Sequence, residues 1–310
     1  MSEISELLDA DAQNVRHTKE LFRNFSPELF GTLDEAASLF RTTLRIFGQG
    51  CSDADAVDKA IINKYGSELG IVDSEEMDQL LNSTFPEYSN RSEFLIEIIN
   101  ARDRIRSRPL RAYILIQIFR AYMWAVTDLL RLRITPAHGY LRLQIEGVAL
   151  LGIMRNRPEV AWEWKDVGLG KEGTRFFRNY QTKIKEFVKS NDFEFAYNYA
   201  SGTAQHIRFS SAIRRFSISK EQVPERGEVL EHYEVGFQEA DLDNPAKLIS
   251  DTLFFLWIQY LIFISLTKVL PELEDPILIN TRIPNFGDKI SRLRGLLKKM
   301  FPDQVNQWEA

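Results

Sequence analysis

The stretch from Leu110 to Leu132, LRAYILIQIFRAYMWAVTDLLRL, constrains this chain more than any other. Only Arg111, Arg120, Asp128 and Arg131 in it are charged. A helix that is apolar on nearly every face has to be covered by neighbours on most sides. Pro109 suits the first turn of such a helix, where its missing N–H would find no partner anyway. A second helix is expected directly after it, with Thr135 as cap and Pro136 at its first position. Leu141, Ile145, Val148, Leu151 and Met154 recur along it at helical spacing, and Pro158 stops it. A third apolar run, residues 252–267 (TLFFLWIQYLIFISLT), is expected in a helix opened by Pro245 and closed at Pro271. It is shorter than the roughly 18 to 20 residues a spanning helix needs, so it reads as a buried core helix and no membrane span is expected.

The first hundred residues read as shorter helices with clear punctuation. Ser26-Pro27-Glu28 starts one that runs to about Gly48; Ser52-Asp53, Asp73-Ser74 and Asn90 cap three more. Further on, an amphipathic helix rich in Lys and Arg covers 171–190, Asn191-Asp192 caps a short one, and a last helix runs from Asp288 to Phe301. Residues 216–245 lose helical periodicity, and Glu231 to Phe237 alternates loosely. The expected fold is therefore all-α: a multi-helix bundle over 108–310 with a small β-hairpin insertion near 228–240, preceded by an acidic helical subdomain over 1–107.

A hydrophobic content of 44% beside 27% charged residues supplies a sizeable core. Cys51 is the only cysteine, which excludes an intrachain disulfide and an all-cysteine metal site and fits a reducing compartment. The opening MSEISELLDADAQ has no apolar segment of the secretory kind, so a cytoplasmic location is expected. The net charge of -5 hides an asymmetry. Residues 1–100 hold 8 basic and 19 acidic side chains, a balance of -11, leaving +6 on the other 210. That permits a phosphate-bearing partner without the strongly basic footprint of a dedicated nucleic-acid binder. Arg102, Arg104, Arg106, Arg108 and Arg111 alternate too tightly to share one helical face. They read as a solvated helix end with carboxylate partners, or as a phosphate contact.

Phosphate-loop, dinucleotide and H-E-x-x-H signatures are absent, and no cofactor or metal is expected. Glu228, Glu231, His232 and Glu234 gather locally but match no standard metal spacing. His138 draws more interest, because the first turn of a helix disfavours its charged form. Beside Arg133 a neutral imidazole would suit phosphodiester chemistry. Arg133-x4-His138, followed by Gly139-Tyr140, resembles the Arg-x(4–6)-His motif of HEPN domains, all-helical proteins that often act as ribonucleases or toxin components. The resemblance covers about ten residues. It implies Arg133 and His138 as a catalytic pair, RNA as substrate, and a homodimer that completes the site.

Arg142 and Glu146 sit one turn apart on the second apolar helix and are expected to form an internal ion pair tying that helix to its neighbour, since an unpaired buried charge is very costly. With Ser201 and His206, on either side of a glycine break, they form a candidate polar cluster. The foursome resembles uncharacterised helical bacterial domains that pair an Arg-x3-Glu helix with a downstream Ser…His element; that likeness implies no activity. Two functions follow. One is a non-catalytic binding or interaction module whose ligand sits at the polar cluster. The other is a metal-independent ribonuclease of the HEPN kind in bacterial stress or phage defence.

Overall fold

The computed structural model describes residues 3–25, 27–49, 62–63, 107–166, 171–204, 216–223, 228–235 and 245–300. The fold is all-α. Its helices are α1 (Glu3–Phe25), α2 (Pro27–Gln49), α3 (Arg108–Leu130), α4 (Ile134–Asn156), α5 (Glu159–Lys165), α6 (Lys171–Ser190), α7 (Glu194–Ala204), α8 (Pro245–Val269) and α9 (Ile283–Met300). A 3-10 turn, Pro271–Leu273, and a π-helical segment, Leu278–Arg282, lead from α8 into α9. Between α7 and α8 two strands, β1 (Phe216–Val223) and β2 (Glu228–Val235), pair antiparallel with Phe216 opposite Val235. They are a minor addition, and β1 lies upstream of the 228–240 window read from the sequence.

Helix α8 is the innermost element. Leu253, Phe255, Leu256, Ile258, Ile262 and Leu266 are fully buried along it, under α2, α4 and α9. Both α3 and the Leu248–Val269 part of α8 are long and apolar enough to cross a membrane by composition. They differ in cover: 72% of the most apolar window of α8 is buried inside the protein, against 39% for α3. In the middle of α8, Gln259 exchanges both amide hydrogen bonds with Gln144 of α4 at 3.0 Å, and the Gln144 amide also donates to the Ile118 carbonyl of α3 at 3.3 Å. Neither glutamine is exposed, so the pair meets the requirement that buried polar groups be hydrogen-bonded.

Helices α3 and α4 form a hairpin. Leu132 takes a left-handed conformation (φ 62°) just past the end of α3, and the Arg133 N–H reaches back to the Asp128 carbonyl at 2.8 Å. This closes the helix in a Schellman-like turn. A leucine there costs about 1–2 kcal/mol of backbone strain, and its complete burial returns about 1.5–3 kcal/mol. Gly147 lets the two helices close up, because a Cβ there would meet Ile118 at 2.7 Å. Gly287 does the same for α9, where a Cβ would meet the Tyr260 ring at 2.6 Å.

Helices α1 and α2, from the section the sequence set apart as 1–107, bury Phe22, Leu29, Leu33, Phe40 and Phe47 in the same apolar cluster as the rest. The Phe40 ring lies 4.5 Å from that of Phe263. Lys289 pairs with Glu35 at 3.0 Å, and Tyr122 donates its hydroxyl to the Leu33 carbonyl.

Three boundaries differ from the sequence reading. Helix α4 starts at Ile134 with Arg133 in the cap position, so Thr135 lies within its first turn. Helix α7 runs through Ser201-Gly202 to Ala204, since a glycine near a helix end is tolerated at modest cost. Helix α9 begins at Ile283 rather than Asp288, and Gly287 inside it packs against Tyr260. The expected caps at Ser52, Asp73 and Asn90, Cys51 and His206 lie outside the described residues.

Two substitutions test this packing by urea unfolding. Gln259→Leu is expected to cost about 2–3 kcal/mol by stranding the Gln144 amide, while Gln144→Leu with Gln259→Leu recovers most of it. Equal losses for the single and double variants would show that the amide pair does not govern the site. Gly287→Ala is expected to lose about 1–3 kcal/mol against the Tyr260 ring. Gly295→Ala, with open space around it, should gain up to about 1 kcal/mol; the same sign for both would refute the close-approach account.

Candidate functional site

The apolar residues of α3 do not all find cover. Tyr113, Ile116, Met123 and Trp124 stand exposed on it, and Leu143 of α4 is 52% exposed beside them. Between the two helices a slot of about 250 Å³ opens. Ile114, Ile118, Ala121 and Trp124 of α3 form one wall, and Leu143, Gly147 and Leu150 of α4 the other. Trp164 of α5 and Phe177 of α6 complete the lining. The small side chain of Ala121 leaves space in its wall, while at Gly147 the two helices come into contact. Gln117 and Glu146 are its polar members.

Glu146 and Phe177 also line a second, more polar depression, of about 700 Å³, shared by α4, α6 and α7. There Arg142 Nε donates to Glu146 Oε1 at 2.8 Å, and the Tyr197 hydroxyl donates to the same oxygen at 2.9 Å. The Arg142 guanidinium also lies over the Tyr197 ring, 5.2 Å from its centre. Burial, then the charge and hydrogen bond of Glu146, push the Tyr197 phenol up to about 12. Glu146 is ion-paired as expected, but the pair lies within α4, and the tie to a neighbouring helix is the Tyr197 hydrogen bond. The side chains, 24% and 20% exposed, form a half-buried wall of a groove rather than a sealed core pair. Arg178, Gln181 and Ile184 of α6 complete the depression.

The other predicted residues are placed differently. His138 stands in the second turn of α4, not the first: the first turn closes with the Ala137 N–H on the Arg133 carbonyl at 3.3 Å. The N-terminal amides invoked to keep it neutral thus precede it. Its ring is 1% exposed, with ring contacts to Tyr199 at 5.1 Å and Phe254 at 5.9 Å. Arg133 is half-buried at the α3–α4 junction. Ser201 lies on α7 one turn beyond Tyr197, which is the residue of that helix that reaches Glu146. Of the arginine run, Arg111 pairs with Glu272 at 2.6 Å, and Arg108 donates to the Phe47 carbonyl at 3.1 Å. Both hold the fold together. Among the described residues no group of three His, Cys, Asp or Glu side chains could hold a metal ion.

Sequence reasoning missed Tyr197, Phe177, Arg178 and Gln181. A signal existed: Phe177 stands at the edge of the apolar stripe of α6, and Arg178 and Gln181 sit one turn apart on its polar side. No family model matches the chain, and no curated protein or solved structure matches it significantly.

Tyr197 and Tyr180 supply a pH test. Tyr180 is also pushed up to about 12, by burial and by its hydrogen bond to Glu163. A phenol raised in the folded state contributes stability that is fully present below its unfolded value near 10 and is lost as pH rises through about 12. Urea midpoints are expected to be flat from pH 8 to about 9.5 and to fall steeply above. Tyr197→Phe should start lower, by about 0.5–1.5 kcal/mol, and fall less steeply. An unchanged alkaline slope would remove Tyr197 from the account.

Proposed function

We propose that this protein is a non-catalytic binding module whose ligand occupies the groove between α3, α4 and α6. The observation that carries the reading is the slot itself. A concave, largely apolar space of about 250 Å³, bounded by Trp124, Trp164 and Phe177 with a few polar groups at its mouth, has the make-up of a ligand site. Of the apolar surface that α3 leaves uncovered, this is the part that α4, α5 and α6 shape into a concavity.

A ribonuclease working through Arg133 and His138 would need the imidazole within reach of a ribose hydroxyl. Burial of that ring between Tyr199 and Phe254 weighs against it. The binding reading also gives Arg142 and Glu146 a use, as the polar wall beside the slot.

Titration with 2-naphthol, a neutral aromatic probe, tests the reading through quenching of the tryptophan fluorescence. One saturable site is expected, with an affinity on the order of 0.1–1 mM for so small a molecule. Leu143→Asp, at an exposed position of the slot wall, should abolish it without unfolding the protein. Binding unaffected by Leu143→Asp, or no saturable binding, would defeat the groove as the site. RNA incubated with the protein in EDTA is expected to stay intact. His138→Ala should lose about 2–4 kcal/mol of stability, as for other emptied core positions. Metal-independent cleavage lost in a folded His138→Ala protein would replace the binding reading with the ribonuclease.

A further inference from the structure

We infer that the ligand of the groove is a monoanionic amphiphile: an aromatic or branched aliphatic body of about ten heavy atoms carrying one carboxylate. This rests on the groove being the binding site, and it names what the groove selects.

Size sets the body. A cavity of about 150 Å³ lined by aliphatic and aromatic side chains accepts benzene, so the slot of about 250 Å³ has room for a bicyclic ring or its aliphatic equivalent. Trp124 and Trp164 offer ring faces and edges to an aromatic group. At about 250 Å³ the slot is too small to enclose a long acyl chain, and at Gly147, where α3 and α4 close to contact, it is too narrow for a polypeptide helix.

Charge sets the head. Glu146 and Phe177 belong to both the slot and the polar depression, so a body seated in the slot directs its head toward Arg178 and Gln181. The depression holds two guanidinium groups, Arg142 and Arg178, against one carboxylate, Glu146, a formal balance of +1. The helix that carries Arg178 adds to this field, with six basic and two acidic side chains over 171–190. Arg142 is already committed to Glu146. Arg178 is exposed and makes no ion pair among the described residues, which leaves its planar fork for bidentate contact with a carboxylate. Gln181, one turn along the same face, can donate a further hydrogen bond. A dianionic phosphate would exceed the +1 balance and crowd the Glu146 carboxylate.

The test compares three probes with one ring system, 2-naphthylacetate, 2-naphthylacetamide and 2-naphthyl phosphate, by isothermal titration at low salt. The acetate is expected to bind about tenfold more tightly than the amide and more tightly than the phosphate. Arg178→Gln should bring the acetate down to the affinity of the amide and leave the amide unchanged, while Leu143→Asp should abolish all three. An amide equal to the acetate, or an acetate indifferent to Arg178→Gln, overturns the carboxylate while the groove stands. A phosphate that binds best overturns the monoanion. Failure of all three probes overturns the ligand class and the groove together.

Discussion

The fold depends on covering a helix that has no polar face. Helix α8 carries leucine, isoleucine and phenylalanine around its whole circumference, so each neighbour is placed by the side of α8 it must hide. Burial of that surface is non-directional, and apolar packing alone would let α4 slide or rotate against α8. The reciprocal amide pair of Gln144 and Gln259 supplies the missing direction. Its two hydrogen bonds form in one register only, and a slip of one residue would strand four polar groups at zero exposure. The third bond, from Gln144 to the Ile118 carbonyl, fixes α3 in the same frame. Three helices are thereby indexed by one contact.

That indexing leads to the groove. With α4 pinned between α3 and α8, Gly147 faces Ile118 and the two backbones draw together at that level. Above it the larger Trp124 and Leu143 cannot follow, and the helices leave a wedge between them. Helices α5 and α6 add Trp164 and Phe177 to its lining but do not fill it. The Arg142–Glu146–Tyr197 cluster then fastens α7 to the outer side of α4. Slot and polar wall are adjacent because Glu146 and Gly147 are successive residues, one turned to the depression and the other to α3.

The broad architecture was legible in the sequence because it rests on long-period signals. The all-round apolar character of 110–132 and 252–267, the prolines at 109, 158, 245 and 271, and the amphipathic 171–190 segment survive into α3, α8 and α6 with small changes of boundary. Local punctuation misled at three places. The last helix starts at Ile283, ahead of Asp288, Gly202 lies within a helix, and Thr135 gives up the cap position to Arg133, because tertiary contact outweighs capping preference there. The Arg142–Glu146 pair was legible from its spacing. Its third member was not: Tyr197 is 51 residues away, and nothing local says that α7 lies against α4 rather than elsewhere. The slot was not legible either, since it is made of ordinary core residue types whose partners happen not to meet.

The Arg133–His138 spacing does not by itself specify chemistry. For an imidazole to exchange protons with a substrate it needs an open approach and a partner that polarises it, and spacing along a chain specifies neither. Beginning α4 at Ile134 advances His138 into the second turn, and a residue there is aimed by the rotation of the whole helix, which Gln144 sets less than two turns further on. That rotation turns His138 toward Tyr199 and Phe254, Glu146 toward Tyr197 at the edge of the groove, and Leu143 and Gly147 to the side of α4 that faces α3. One choice of helix orientation therefore closes the ring that the sequence pattern favours and opens the surface it passes over. In this bundle the candidate site follows the orientation of α4, and Gln144 sets it.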